Sequence, residues 1–316
     1  MLYKKMNNAD ISLLKKSKVR KQSGLFYLIG RFVREKPLGT LGAVITLLLL
    51  ITGIFADLLA PYGMNQMHSD FLAAPSAKFW LGTDDIGRDL LTRILYGARV
   101  STFVGLGASF LATIISILIG MISGYIGGKF DLVTQRFVDA WMSVPTLVIL
   151  IVLISLVGPG IVQVIIVIGV SWGIGGSRII RAPSINTREQ VYVKAAISVG
   201  CSTPRILIRH ILPNILAPVI ILFTTRIPSV IVTEASLSFL GFGVPPPFPS
   251  WGGMLSGTSR SFMFQAPWIV LWPGLAISTV VYGVNMFGDA LRDLLDPRLR
   301  SGGGRLGVRP KKRNKS

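Results

Sequence analysis

Residues 100–128 read VSTFVGLGASFLATIISILIGMISGYIGG, a stretch without one charged side chain. A helix crosses roughly 30 Å of hydrocarbon in about 20 apolar residues, so this run is long enough to span a membrane with turns to spare. Runs of the same kind lie on both sides of it. Pro37 to Ala56 is charge-free, as is Ala140 to Ser177. The latter is about twice one span's length and is broken by Gly158-Pro159-Gly160, which reads as a tight turn between two helices. Asn214 to about Val232 is interrupted only by Arg226, and Ala266 to Phe287 closes the series. The expectation is an all-α, polytopic membrane protein with six transmembrane helices.

Composition agrees with that reading. The 316 residues are 51% hydrophobic and 15% charged, with mean hydropathy +0.60. Soluble domains carry about 25% charge, so a disordered chain, a secreted disulfide scaffold and an ordinary cytosolic enzyme are excluded. One cysteine, Cys201, leaves neither an intrachain disulfide nor a cysteine metal site. The net charge of +19 would suggest nucleic acid, but the basic residues sit between the apolar blocks. Ten lie before Pro37, two between the second and third helices (Lys129, Arg136), six between the fourth and fifth, and nine after the sixth. Only Lys78, Arg88, Arg93, Arg99 and Arg260 fall on the other side. The positive-inside rule then puts both termini in the cytoplasm and accounts for the charge with no nucleic acid partner.

The domain plan follows. Residues 1–36 form a basic cytoplasmic tail, too long for the basic start of a cleaved signal peptide. Residues 37–60 hold the first transmembrane helix and 61–99 an extracytoplasmic segment. Residues 100–295 form a five-helix core with a cytoplasmic loop at 183–213, and 296–316 a second basic cytoplasmic tail. In that tail Ser301 to Ser316 reads as disordered, with basic residues suited to anionic lipid.

Two loops carry organised signals. In the outer one Thr83 reads as the cap of an amphipathic surface helix, with Asp84 and Asp85 at its positive end. Ile86, Leu90, Ile94 and Leu95 would share a face and Asp89 would pair with Arg93. Helix capping is preferred over a metal site at Asp84, Asp85 and Asp89. In the inner loop Asn186 and Glu189 resemble a capping box, Gly200 reads as a C-terminal stop, and Thr203-Pro204 would cap a second short helix ending before Pro213. Helices this short are marginal alone, so they must dock on something, either a partner through the small face of Ala195, Ala196 and Gly200 or their own transmembrane helices.

Within the spans, Arg226 and Glu234 stand out, because an ionisable group at mid-depth costs a few kcal/mol unless it faces a cavity or a partner. They can pair only if the helix breaks at Pro228. Gly120 and Gly124, at GxxxG spacing, predict a close helix contact. The sequence holds no phosphate-loop, HExxH or GxSxG motif, and His68 and His210 fall on opposite sides of the membrane. No nucleotide hydrolysis by this chain is expected.

Ala195-Ala196, Gly200 and Leu212-Pro213 resemble the EAA loop of ABC importer permeases, in which three residues separate the EAA from a glycine and Leu-Pro follows twelve residues later. Leu81 to Asp89, Glu234-Ala235-Ser236-Leu237-Ser238-Phe239-Leu240-Gly241, Pro249 to Gly252 and Asn285 to Pro297 add to the likeness. Together, from about Gly30 to Arg300, the chain resembles the C-type permease subunit of dipeptide, oligopeptide and nickel importers. The resemblance implies an ABC type I importer permease fold in a bacterial or archaeal inner membrane. It implies four kinds of partner: a homologous second permease, two cytoplasmic ATPases that bind the ATP and magnesium, an external solute-binding protein, and a peptide as substrate. No cofactor is implied for this chain.

The family's ATPase-coupling loop maps onto Lys194, Ala195, Ala196, Gly200, Arg205, Arg209, His210, Leu212 and Pro213. Lys194 stands where the motif has Glu, and His210 where the general motif has Ile. Arg226, Glu234, Ser236 and Ser238 are the candidates for the pathway and its outer gate. Nickel or oligosaccharide import uses the same subunit type. A carrier driven by an ion gradient, of another class, would show inverted repeats and paired mid-membrane acids, which the sequence lacks.

Overall fold

The structure is a computed structural model describing residues 30 and 32–295; the expectations for the C-terminal tail 296–316 and for most of the N-terminal one lie outside these. Helix α1 (Pro37–Ile54) opens with its proline in the first turn, where the missing N–H costs nothing. Leu38, Leu41, Leu47, Leu48 and Ile51 are exposed along it. Gly39 and Gly42 press instead against Ala290 and the Gly283 carbonyl of the last helix.

The surface helix expected from Thr83 is not formed. Thr83 Oγ1 accepts from the Ala73 N–H (2.8 Å) and donates to the Asp70 carbonyl (2.6 Å), so its hydroxyl is already committed. Asp84 accepts from the N–H groups of Ile86 and Arg88 and from Arg88 Nε. Isolated bridges Met67–Arg88 and Thr83–Asp89 hold the segment extended. Asp89 caps the helix instead, accepting from the Thr92 N–H at 2.8 Å. Its expected pairing with Arg93 is absent; Arg93 lies 3.7 Å from Asp84. Helix α2 (Leu90–Ile126) then runs unbroken for 37 residues, about 55 Å. Residues 90–99 are thus its first turns.

Helix α3 (Gly128–Met142) and α4 (Thr146–Val157) meet at an 88° bend. Pro145 has no N–H to give and biases Val144 away from helical geometry. The third span, expected from Ala140, is therefore a twelve-residue helix of about 18 Å preceded by a bent partner. The turn at Gly158-Pro159-Gly160 falls where expected and leads into α5 (Ile161–Arg188). After α6 (Val191–Ser198), a short lead-in at residues 203–215 continues directly into α7 (Leu216–Phe239), and α8 (Trp268–Leu295) ends the description. Five helices, counting the lead-in with α7, are long and apolar enough to cross a membrane, and six if α3 and α4 count as one bent span.

Small residues set the closest packing. A Cβ on Gly120 would sit 2.2 Å from the Ser177 carbonyl and one on Gly124 2.9 Å from that of Arg181, so the GxxxG spacing seats α2 directly on α5. Asp131 and Asp139 of α3 pair with Arg181 and Arg178 of α5. Three buried clusters follow: α2, α4, α5 and α7 around Val104 and Ile168; α1, α2, α7 and α8 around Ile231 and Trp251; and, at the α6 end, one containing Met121, Ile180, Val193, Ile215 and Leu222.

Candidate functional site

Helix α6 is fastened from one side and bare on the other. Val193 and Ala196, three residues apart, are buried, and Val193 belongs to the third cluster with Ile206, Ile211 and Ile215. Burying a valine side chain fully contributes roughly 1.5–3 kcal/mol, which holds an eight-residue helix that could not stand alone. Gly200 ends it at φ +79°. The Gly200 N–H donates to the Ile197 carbonyl (2.9 Å) and the Cys201 N–H to that of Ala196 (3.1 Å), a Schellman motif. The capping box is absent, because α5 runs through Arg188 and Gln190 starts α6 without a side-chain cap. Nor does the helical path beyond Thr203 stop before Pro213; a π turn at Leu207–Ile211 and a 3-10 turn at Leu212–Ile215 carry it into α7.

Ala195, Ala196 and Gly200 do not form one face, since Ala196 points inward while Ala195 and Gly200 are exposed. The outward apolar surface is wider than the motif: Val191 is 82% exposed, Val199 79% and Ile208 65%. Arg205, Arg209 and Pro213 are exposed beside it, and Leu212 and His210 are half-buried, the His210 ring 6.5 Å from Tyr192. Lys194 pairs with Glu189 at 2.9 Å across the start of the helix. That ammonium holds the Glu189 carboxyl below the usual carboxylate range.

Arg226 lies on the other side of the same cluster. It is 6% exposed and faces α2 and α5 from α7. Its Nη1 donates to Ser116 Oγ at 3.2 Å, while that hydroxyl shares its one proton between the Ala112 and Gly173 carbonyls. The guanidinium fills space left by Gly176, where a Cβ would come within 1.5 Å of Nη2. Arg226 makes no ion pair among the described residues. It lines a cleft of about 380 Å³ with Trp141, Met142, Ser171, Trp172 and Leu222. Sequence reasoning missed Ser116, Ser171, Trp172 and Gly176. A legible signal was the adjacent glycines Gly175-Gly176 in mid-span, which leave room for a large side chain from elsewhere.

Glu234 is not near Arg226. Helix α7 continues through Pro228, so eight residues separate the two by about 12 Å along the axis. Glu234 is 1% exposed; Ser238 donates to its Oε1 at 2.7 Å, and Oε2 has no partner among the described residues. The Val244 N–H donates to Ser238, which closes the turn after the helix. Ser236 lies apart from this group, donating to its own Val232 carbonyl and lining a separate apolar cleft with Phe239 and Ile277. Of the gate candidates, then, Glu234 and Ser238 meet and Ser236 does not join them.

The family described as "Binding-protein-dependent transport system inner membrane component" matches residues 116–301, which include the cleft and the loop. This chain belongs to that family. It is 40% identical over 270 residues to the dipeptide transport system permease protein DppC of Alkalihalophilus pseudofirmus, covering 85% of this chain and 88% of the relative. The oligopeptide transport system permease protein OppC of Bacillus subtilis is 37% identical over 84% of this chain and 88% of its own length. The di/tripeptide transport system permease protein DppC of Pseudomonas aeruginosa is 36% identical over 83% and 89%. The chain is accordingly a multi-pass ABC importer permease subunit that works with other ABC transport subunits.

Proposed function

We propose that this permease imports dipeptides or oligopeptides, forming half of the pathway with a homologous second permease in a bacterial or archaeal inner membrane. Two cytoplasmic ATPases bind ATP and magnesium and hydrolyse the nucleotide, and an external solute-binding protein delivers the peptide. Both termini and α6 face the cytoplasm. The relatives' substrates support the peptide reading over nickel chelates and oligosaccharides.

One observation carries the coupling. Leu222 belongs both to the cluster that fastens α6 and to the lining of the Arg226 cleft. A close-packed interior transmits displacement, so an ATPase that moves the bare face of α6 moves the cleft through Val193, Ile215 and Leu222. Alternating access then follows as a shift between two arrangements of the bundle. Glu234 and Ser238, at the opposite end of α7, serve as part of the outer gate.

The test is a mild-detergent pull-down of the tagged chain from its native membrane, with peptide uptake measured in the same cells. A second permease and ATPase subunits should co-purify, and vanadate should stop uptake while an ionophore leaves it running. A chain that comes down alone, with uptake that collapses on adding the ionophore, would refute the reading.

A further inference from the structure

We propose that the Arg226 cleft binds the C-terminal carboxylate of the translocating peptide. The inference rests on the peptide reading above and adds to it the group recognised and the residues that recognise it. A buried charge persists only with a partner or a cavity that brings one. Arg226 is nine-tenths buried and has one hydrogen bond, to Ser116, which leaves the rest of its five-donor fork unengaged by described residues.

The rest of the lining sets no competing demand. Ser171 and Trp172 border the cleft, but the hydroxyl oxygen of one and the indole nitrogen of the other are shut off from its open space, so the guanidinium is the charged donor that meets an occupant. A guanidinium can only donate. The occupant must therefore supply acceptors and negative charge. A carboxylate matches the planar fork bidentately.

The rest of the lining fits the remainder of a peptide. Trp141, Met142, Ile149 and Ile179 offer aromatic and flexible apolar surface, which accommodates varied side chains without hydrogen-bond demands. The volume of about 380 Å³ falls within the range of small-molecule sites. Arg226 lies ten residues into α7, about 15 Å from its start. Ser116 and Gly176 position the guanidinium, and Arg226 contacts the carboxylate.

The experiment uses the complete transporter reconstituted in proteoliposomes with its binding protein, and compares uptake of trialanine with trialanine amide. The same binding protein serves every variant, so its own preference cancels in the comparison. Arg226→Met is expected to lower the acid-to-amide ratio about tenfold, the loss of one charge-assisted interaction, with Arg226→Lys intermediate. Arg226→Gln, which keeps a donor and removes the charge, should lower the ratio severalfold and serves if Arg226→Met does not assemble. An unchanged ratio in assembled variants overturns the proposal, as does an equal fall for both peptides, the result expected if Arg226 instead pairs with an acid of a neighbouring subunit. A wild-type transporter that assembles and hydrolyses ATP but takes up neither peptide would overturn the peptide reading and this ligand with it.

Discussion

At the scale of single residues, the pathway depends on where small and charged side chains meet. Gly176→Leu would drive a side chain into the guanidinium of Arg226, whose Nη2 lies 1.5 Å from where a Cβ would sit. Overpacking of this kind costs about 1–3 kcal/mol. The expected outcome is assembly with a lowered melting temperature and uptake reduced about tenfold, read by co-purification and transport. Glu234→Ala removes the acceptor of Ser238, whose oxygen also anchors the Val244 N–H. It should leave the complex assembled while transport uncouples from ATP hydrolysis, and unchanged uptake would end its role in the gate. The importance of Arg226 and Glu234 was legible in the sequence because charge in an apolar run is conspicuous. Their separation was not, since it needed Pro228 to be accommodated in a continuous helix. Trp172 and Ser171 gave no sequence signal, because only packing shows that their polar atoms lack partners.

Among the elements, α6 and its glycine stop are the most exposed to test. Gly200 adopts φ +79°, which costs a non-glycine residue roughly 1–2 kcal/mol. Gly200→Leu should therefore loosen the Schellman motif and weaken ATPase co-purification, while the transmembrane bundle, fastened by buried contacts elsewhere, still inserts. Full ATPase retention and coupled uptake in that variant would exclude α6 as the docking element. Lys194, which stands where the motif has an acid, neutralises Glu189. Its hold lowers the Glu189 pKa from an ordinary 4.5, so the pair's contribution is complete at neutral pH and is lost only as pH falls through the lowered value. The stop at Gly200 was readable from sequence because αL geometry favours glycine. The expected caps failed: the Thr83 side chain was taken by distant backbone, and the capping box at Asn186 lay inside a longer helix.

For the whole molecule, the membrane orientation is the open quantity with a direct handle. Cys201, the one cysteine, is half-buried beside Gly200. An impermeant maleimide should label it in inside-out vesicles and leave it unlabelled in intact cells; labelling of intact cells would reverse the topology and place α6 away from any cytoplasmic ATPase.

What the sequence determined by itself was the membrane architecture, the turn at Gly158-Pro159-Gly160, a close helix contact at Gly120 and Gly124, and the short helix before Gly200. Each is local: apolar length, glycine conformation and small-residue spacing act within one or two elements. The tertiary structure alone decided where α2 begins, that α5 is the helix seated on Gly120 and Gly124, that the third span is bent at Pro145, and that helices distant in sequence enclose an arginine hydrogen-bonded to Ser116. Those outcomes depend on which backbone and side-chain groups find partners across the bundle, and that accounting closes only when the helices are packed.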